Sequence, residues 1–374
     1  MKIMITGGGT GGHTSPALAV IEELRNRDPR LLLQWVGKKG SIEERVARRE
    51  GIPFRSLPME GWTRKISLRM IRLGIKVLYS MIRVWMYIRV FQPDAVFGVG
   101  GYVSLPALWV AQRMGIPTFS HEQNKRLGLA NRLCAPGLTT LFLSYEDTLG
   151  QPEGVQHKVT GNPVRAAFYT SADPEEARKD LELKEAVPLI LVVGGSQGAQ
   201  KVNQATAELL PQFEEEEAQF IWSTGTAELE KCHEEAAKAR CTVLVQAYIE
   251  EMAKACAAAD IIVSRAGAST TAEIAILGKA SILVPYPHAT DNHQEHNARA
   301  FETAGAARVL LDSECTGETL GSLLKEILQN PELLESMGKE ALTLSKPSAA
   351  NDIVEAIMES ACLPAALVSE VVSD

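Results

Sequence analysis

The chain has 374 residues, 45% of them hydrophobic, a length that suits two cores rather than one. Six scattered cysteines with no Cys-x-x-Cys pair, and a start that runs from Met1-Lys2 straight into an apolar strand, exclude a disulfide framework and lead us to expect a reduced, cytosolic protein. The net charge of −8 hides an asymmetry: residues 1–165 hold 23 Lys and Arg against 12 Asp and Glu, the remainder 15 against 34. A basic half suits a membrane surface or an anionic substrate; its basic residues interleave with aliphatics and lack base-stacking aromatics, which excludes nucleic acid.

In chain order, apolar runs at 3–6, 31–36, 95–99 and 117–120 alternate with helical patterns at 16–27 and 41–50. That alternation predicts βαβ units on a parallel sheet. Between them, residues 64–90 read as a helix in which Ile71, Ile75, Leu78, Ile82 and Trp85 form one stripe, with Lys65, Arg69, Arg72, Lys76 and Arg83 on an adjacent one. Recurrent charges exclude a membrane-spanning helix. One side is expected to pack on the domain, and the other to lie on anionic headgroups through Ile75, Leu78, Ile82, Trp85, Arg72 and Lys76; a core helix with a solvated charged edge is the plainer alternative.

Gly161-Asn162-Pro163-Val164-Arg165 interrupts the pattern and reads as a linker. The alternation then resumes with apolar runs at 189–193, 219–222, 242–245, 261–264 and 282–284 and helices near 202–210 and 269–277. After a break at Pro347, a helix near 351–359 is expected to return toward the first domain, and the residues after Leu363 read as a frayed tail. The expected fold is α/β, two Rossmann-like doubly wound parallel-sheet domains with a cleft between them: residues 1–163, residues 164–346, and a C-terminal segment 347–374.

Two strands run into glycine-rich turns that open helices, Gly7-Gly8-Gly9-Thr10-Gly11-Gly12-His13 and Gly194-Gly195-Ser196-Gln197-Gly198. Such turns let a backbone approach a ligand and aim N–H groups at an anion. The first fits the dinucleotide fingerprint, but the end of the second strand reads Trp35-Val36-Gly37-Lys38-Lys39 and offers no acid for a ribose diol, which argues against a nicotinamide enzyme. His13 stands where a P-loop needs Lys, which argues against NTP hydrolysis. No Asp-x-Asp occurs, so no metal or other cofactor is expected; backbone amides, Arg165 and Arg265 would have to meet a diphosphate. Glu273, one turn into the helix after Arg265, is suited to a ribose diol or to first-turn charge compensation.

Six motifs, Gly8-Gly9-Thr10-Gly11-Gly12-His13, Gly100-Gly101-Tyr102-Val103-Ser104, His121-Glu122-Gln123-Asn124, Gly161-Asn162-Pro163-Val164-Arg165, Gly194-Gly195-Ser196-Gln197-Gly198-Ala199 and Asp291-Asn292-His293-Gln294, occur in one order along nearly the whole chain. In that order they resemble the MurG family of glycosyltransferases. The resemblance implies a GT-B fold and inverting transfer of GlcNAc from UDP-GlcNAc to the 4-hydroxyl of MurNAc in lipid I, undecaprenyl-pyrophosphoryl-MurNAc-pentapeptide, by a peripheral protein on the cytoplasmic face of the plasma membrane. It implies donor contacts from Thr10, Gly11, Gly12, Asn124, Arg165, Ser196, Ile249, Ala268, Ser269, Thr270, Thr271, Ala272, Glu273 and Gln294. Ile249 would hold the uracil, Glu273 the ribose, Ser196 and the Ala268 turn the diphosphate, and Asn124 and Gln294 the sugar. Leu105 departs from the family, where a glycine commonly follows Tyr-Val-Ser, and residues 287–290 are a variable approach to Gln294. Direct displacement needs a base at the acceptor hydroxyl; His13 is the first candidate and Glu122 the second.

Overall fold

The computed structural model describes residues 1–9, 11–59, 68–170, 173–194, 198–289 and 292–362; of residues 11, 68–73 and 362 only the backbone is described. They form two units, Met1–Arg165 with Lys346–Asp374, and Ala166–Ser345.

The N-terminal unit runs β1 (Lys2–Thr6), α1 (Gly11–Arg27), β2 (Leu32–Lys38), α2 (Ile42–Arg49), β3 (Phe54–Leu57), α3 (Leu68–Phe91), β4 (Ala95–Gly98), α4 (Ser104–Arg113), β5 (Thr118–Glu122), α5 (Leu129–Cys134), β6 (Thr140–Leu143) and β7 (His157–Val159). Its sheet is parallel, in the order β3-β2-β1-β4-β5-β6-β7. Side chains alternate across it: Ile3 and Ile5 of β1 join Trp35 and Phe97 in a core with α1, while Met4 joins Val36 and Val96 in a second core with α3 and α4. Strand order reverses between β1 and β4, and the carboxyl ends flanking such a reversal are where open α/β sheets place ligands.

Helix α1 begins at Gly11, five residues before the expected start at Pro16, which sits inside the helix. The end of the glycine turn, Gly11-Gly12-His13, thus opens the helix, at the cost of the one backbone bond that Pro16 lacks a proton to make. In α2, Ser41 caps the helix by accepting from Glu44 N, and Arg48 pairs with Glu44.

The C-terminal unit runs α6 (Pro174–Asp180), β8 (Leu189–Val193), α7 (Gln200–Leu209), β9 (Gln219–Ser223), α8 (Leu229–Ala236), β10 (Val243–Gln246), α9 (Met252–Ala258), β11 (Ile261–Ser264), α10 (Ala268–Leu277), β12 (Ala280–Leu283), α11 (His293–Thr303), β13 (Ala307–Val309), α12 (Gly317–Leu328) and α13 (Pro331–Thr343). Its parallel sheet, β10-β9-β8-β11-β12-β13, repeats the reversal between β8 and β11. The last helix, α14 (Ala349–Cys362), belongs to the N-terminal unit, where Ile353, Val354 and Ile357 are fully buried in the core beneath α1.

On α3 the side chains divide cleanly. Ser80, Val84 and Ile88 are buried, whereas Ile75, Leu78, Tyr79, Ile82, Trp85, Met86 and Val90 are all at least 44% exposed. Arg83 lies over Tyr79 and Tyr87, and Arg89 over Trp85. Among the described residues no helix is long and apolar enough to cross a membrane.

Candidate active site

In the N-terminal unit the loops leaving β1 and β4 interlock through glycines at positive φ. A Cβ on Gly7 (φ +111°) would stand 2.5 Å from Gly100 O, and one on Gly101 (φ +78°) 2.6 Å from Gly8 O. Half-buried His13 lies alongside, its ring 3.3–3.4 Å from where a Gly100 Cβ would be. Only glycine admits both this backbone contact and the imidazole beside it.

Glu122 ends β5 and is buried, and its carboxylate is fully engaged. Oε1 accepts from Asn124 N (3.1 Å) and Asn124 Nδ2 (3.0 Å), and Oε2 from Gly128 N (2.8 Å) and Asn131 Nδ2 (3.0 Å). Burial raises its pKa above the usual carboxylate value while these donors pull it down. A carboxylate has about four lone-pair sites, and here each is taken. Glu122, the second base candidate of the sequence, is thus held by four donors and orients Asn124 and the start of α5. Asn131, which the sequence reading missed, ties the group together, since Ser120 Oγ donates to its Oδ1 (2.7 Å) and its Nδ2 also reaches His121 O (3.2 Å).

His121 is wholly buried, with Nε2 3.0 Å from Gly161 O and Nδ1 without a hydrogen-bond partner among the described residues. The carbonyl fixes the Nε2–H tautomer, and burial, aided by the nearby His13, pushes the pKa down to about 4.

In the C-terminal unit the turn after β8 is pinched at its ends. A Cβ on Gly194 would meet Ala199 N at 2.5 Å, and one on Gly198 (φ +78°) would meet Thr224 O at 2.5 Å. Past the reversal, Gly267 in extended conformation caps α10, whose first turn carries no acid. The amides opening this helix therefore form an electropositive end beside the strand termini. Of the expected donor residues here, Thr271 is buried with its hydroxyl turned back to Gly267 O and Ala268 O, whereas Ala268, Ser269, Thr270, Ala272 and Glu273 are half-buried. Gln294, on the first turn of α11, has its Oε1 fixed by Tyr286 N (3.0 Å). Asn297, also missed, holds α11 to the β11 turn through Nδ2 to Ala266 O (3.1 Å).

Arg265 has its partners within its own unit. Its Nη1 lies 2.6 Å from Asp312 Oδ1 and donates to Val284 O and Pro285 O, and its guanidinium stacks on Tyr286. Its charge is therefore matched within the protein. Ile249, in the turn after β10, is buried, with 5% of its surface exposed. Arg165 and Asn124 are half-buried; Thr10 and Ser196 lie outside the described residues, as does the side chain of Arg72. Gly11 and Gly12 sit in the first turn of α1.

Two parallel sheets, each reversing order at a glycine-bearing strand end, make the GT-B fold. Residues 3–142 match the glycosyltransferase family 28 N-terminal domain and residues 189–353 the family 28 C-terminal domain, and the chain belongs to that family. A UDP-N-acetylglucosamine--N-acetylmuramyl-(pentapeptide) pyrophosphoryl-undecaprenol N-acetylglucosamine transferase of Desulforamulus reducens is 38% identical over 371 residues, covering 96% of this chain and 98% of the relative. The enzyme of the same name from Listeria monocytogenes is 37% identical over 360 residues, covering 96% and 99%. Among solved structures, Acinetobacter baumannii MurG superposes with a TM-score of 0.75 at 29% identity, over 96% of this chain and 99% of that one. A UDP-GlcNAc 2-epimerase from Neisseria meningitidis, at 16% identity and a TM-score of 0.66, shares the fold.

Proposed function

We propose that this chain transfers GlcNAc from UDP-GlcNAc to the 4-hydroxyl of MurNAc in undecaprenyl-pyrophosphoryl-MurNAc-pentapeptide, with inversion, in peptidoglycan synthesis. The observation that carries the reading is the match over 96% of the chain to relatives named for that transfer. The C-terminal unit takes the donor: the backbone of Ile249 reads the uracil edge, Glu273 accepts from the ribose diol, and the Ala268, Ser269 and Thr270 amides with the Ser196 turn receive the diphosphate. With its Oε1 fixed, Gln294 turns its amide N–H groups to the sugar. The N-terminal unit supplies His13 at the mouth of the first glycine turn, with Thr10, Gly11, Gly12, Asn124 and Arg165 as further substrate contacts. His13 takes the proton of the acceptor hydroxyl as that oxygen bonds to C1 of GlcNAc. The C1–O bond breaks and its electron pair leaves on UDP, stabilised by the amides.

The acceptor is a lipid, and the exposed stripe of α3 with its arginines suits an anionic bilayer surface. Peripheral attachment at the cytoplasmic face through Ile75, Leu78, Ile82 and Trp85, with Arg72 and Lys76 toward headgroups, follows from that reading. The reaction needs no metal or other cofactor. Incubation with labelled UDP-GlcNAc and a lipid I analogue in EDTA is expected to label the lipid. Absence of label beside an active control would overturn the transfer, and label lost only with EDTA would overturn the metal-free mechanism.

A further inference from the structure

Glu43 lies in the first turn of α2, yet it does not act on its own helix. Ser41 and Glu44 serve that end, while Glu43 is fully buried and points away. Its Oε2 accepts from Gly9 N at 3.0 Å and its Oε1 from Lys38 N at 3.0 Å, so one carboxylate joins the glycine turn after β1 to the end of β2. Space for it exists only because two neighbours lack side chains. A Cβ on Gly8 would lie 2.6 Å from Glu43 Cδ, and one on Gly37 2.8 Å from its Cγ. Among the described residues it has no ion-pair partner.

We propose that Glu43 is a built-in anion that fills the first glycine turn and positions the loop carrying His13. A glycine turn at a strand reversal receives a phosphate through its N–H groups. Here a carboxylate of the chain itself already holds Gly9 N–H, and its charge repels a nucleotide diphosphate from the same amides. Four residues beyond Gly9 the chain reaches His13. On its other side the turn is gripped by Gly101 against Gly8 O, so Glu43 and the β4 loop clamp it from opposite flanks. The N-terminal unit thereby presents a base to an acceptor, and the nucleotide is left to the C-terminal unit. Glu43 touches no substrate; it acts through His13.

The inference rests on the transferase reading, and its test separates the two. E43Q keeps the shape but turns an amide N–H toward a backbone N–H, loosening one end of the clamp. We expect kcat for transfer to fall about tenfold to a hundredfold, the range set by misplacement of a reacting group. Calorimetry is expected to give a UDP-GlcNAc Kd within about twofold of wild type, since the amides that receive the diphosphate lie in the other unit, and a cooperative melting transition lowered by several degrees at most. The deciding measurement is the cycle with H13A: E43Q in the H13A background should cost under about twofold, because the group it positions is gone. G37A, at a residue without positive φ, would press on Glu43 Cγ and on the Phe54 ring, push the intact carboxylate from its seat and should reproduce the loss. Equal losses from E43Q with and without His13, or full activity of either E43Q or G37A, would overturn the proposal. An inert wild type that still binds donor would instead overturn the transferase reading.

Discussion

Acidification should destabilise the N-terminal unit through one side chain, His121. Its imidazole is neutral and buried, with a pKa of about 4 against an ordinary 6.5. Above pH 6.5 both folded and unfolded chains carry it neutral, and it makes no difference. Between 6.5 and 4 the unfolded chain binds a proton that the folded chain refuses, so stability falls as pH falls; below 4 both are protonated and the loss levels off. At about 1.4 kcal/mol per pKa unit the full loss is about 3 kcal/mol, of which about 2 kcal/mol has already appeared at pH 5. Urea unfolding of wild type and His121→Asn at pH 8 and pH 5 isolates the term, because every other titrating group is common to both. Wild type should lose about 2 kcal/mol more than the variant over that interval. In parallel, the ring-proton resonance missing from the variant's spectrum should stay at its neutral position down to about pH 5. A resonance titrating between pH 6 and 7, or equal losses in both proteins, would refute the argument that burial holds this ring neutral.

Gly101→Ala forces a side chain into a left-handed backbone and against the Gly8 carbonyl, so the N-terminal unit should melt about 4 °C lower or more and transfer should collapse; an unchanged melting curve contradicts the interlocked-loop account. Replacing Ile82 and Trp85 together with Glu should weaken sedimentation with anionic vesicles by about tenfold or more without lowering the melting temperature, and undiminished binding would remove α3 from the membrane contact. Glu273→Ala should raise KM for UDP-GlcNAc about tenfold to a hundredfold, as expected for a hydrogen bond to a charged group, with kcat much less affected; a normal KM would take the ribose away from Glu273.

The strands that carry the glycine turns were legible because they are apolar and buried on both faces: 189–193 and 261–264 read from the sequence are β8 and β11 residue for residue. Strand β7 was invisible because His157 and Lys158 are exposed at a sheet edge and carry no apolar signal. Residue types at the candidate site could be read, but their commitments could not. Nothing in His121-Glu122-Gln123-Asn124 says that a residue seven places on, Asn131, will supply one of four donors to Glu122. Nothing near Arg265 announces Asp312, 47 residues later, as its counter-ion. Such pairings depend on which loops the sheet order brings together, and periodicity does not encode that. The exposed side of α3 was legible for the opposite reason, since helical spacing alone separates 75, 78, 82 and 85 from 80, 84 and 88.

That α14 completes the N-terminal unit has a consequence for how the chain is made. The first 165 residues leave the ribosome without Ile353, Val354 and Ile357, three fully buried side chains worth about 2 kcal/mol each. Until the intervening 180 residues, Ala166 to Ser345, have been translated, the apolar flank of α1 has no cover. The nascent N-terminal unit is therefore an incomplete domain that must wait, and truncation anywhere before α14 yields a sticky species rather than a smaller folded one. A helix made after the whole C-terminal unit closes the unit begun before it.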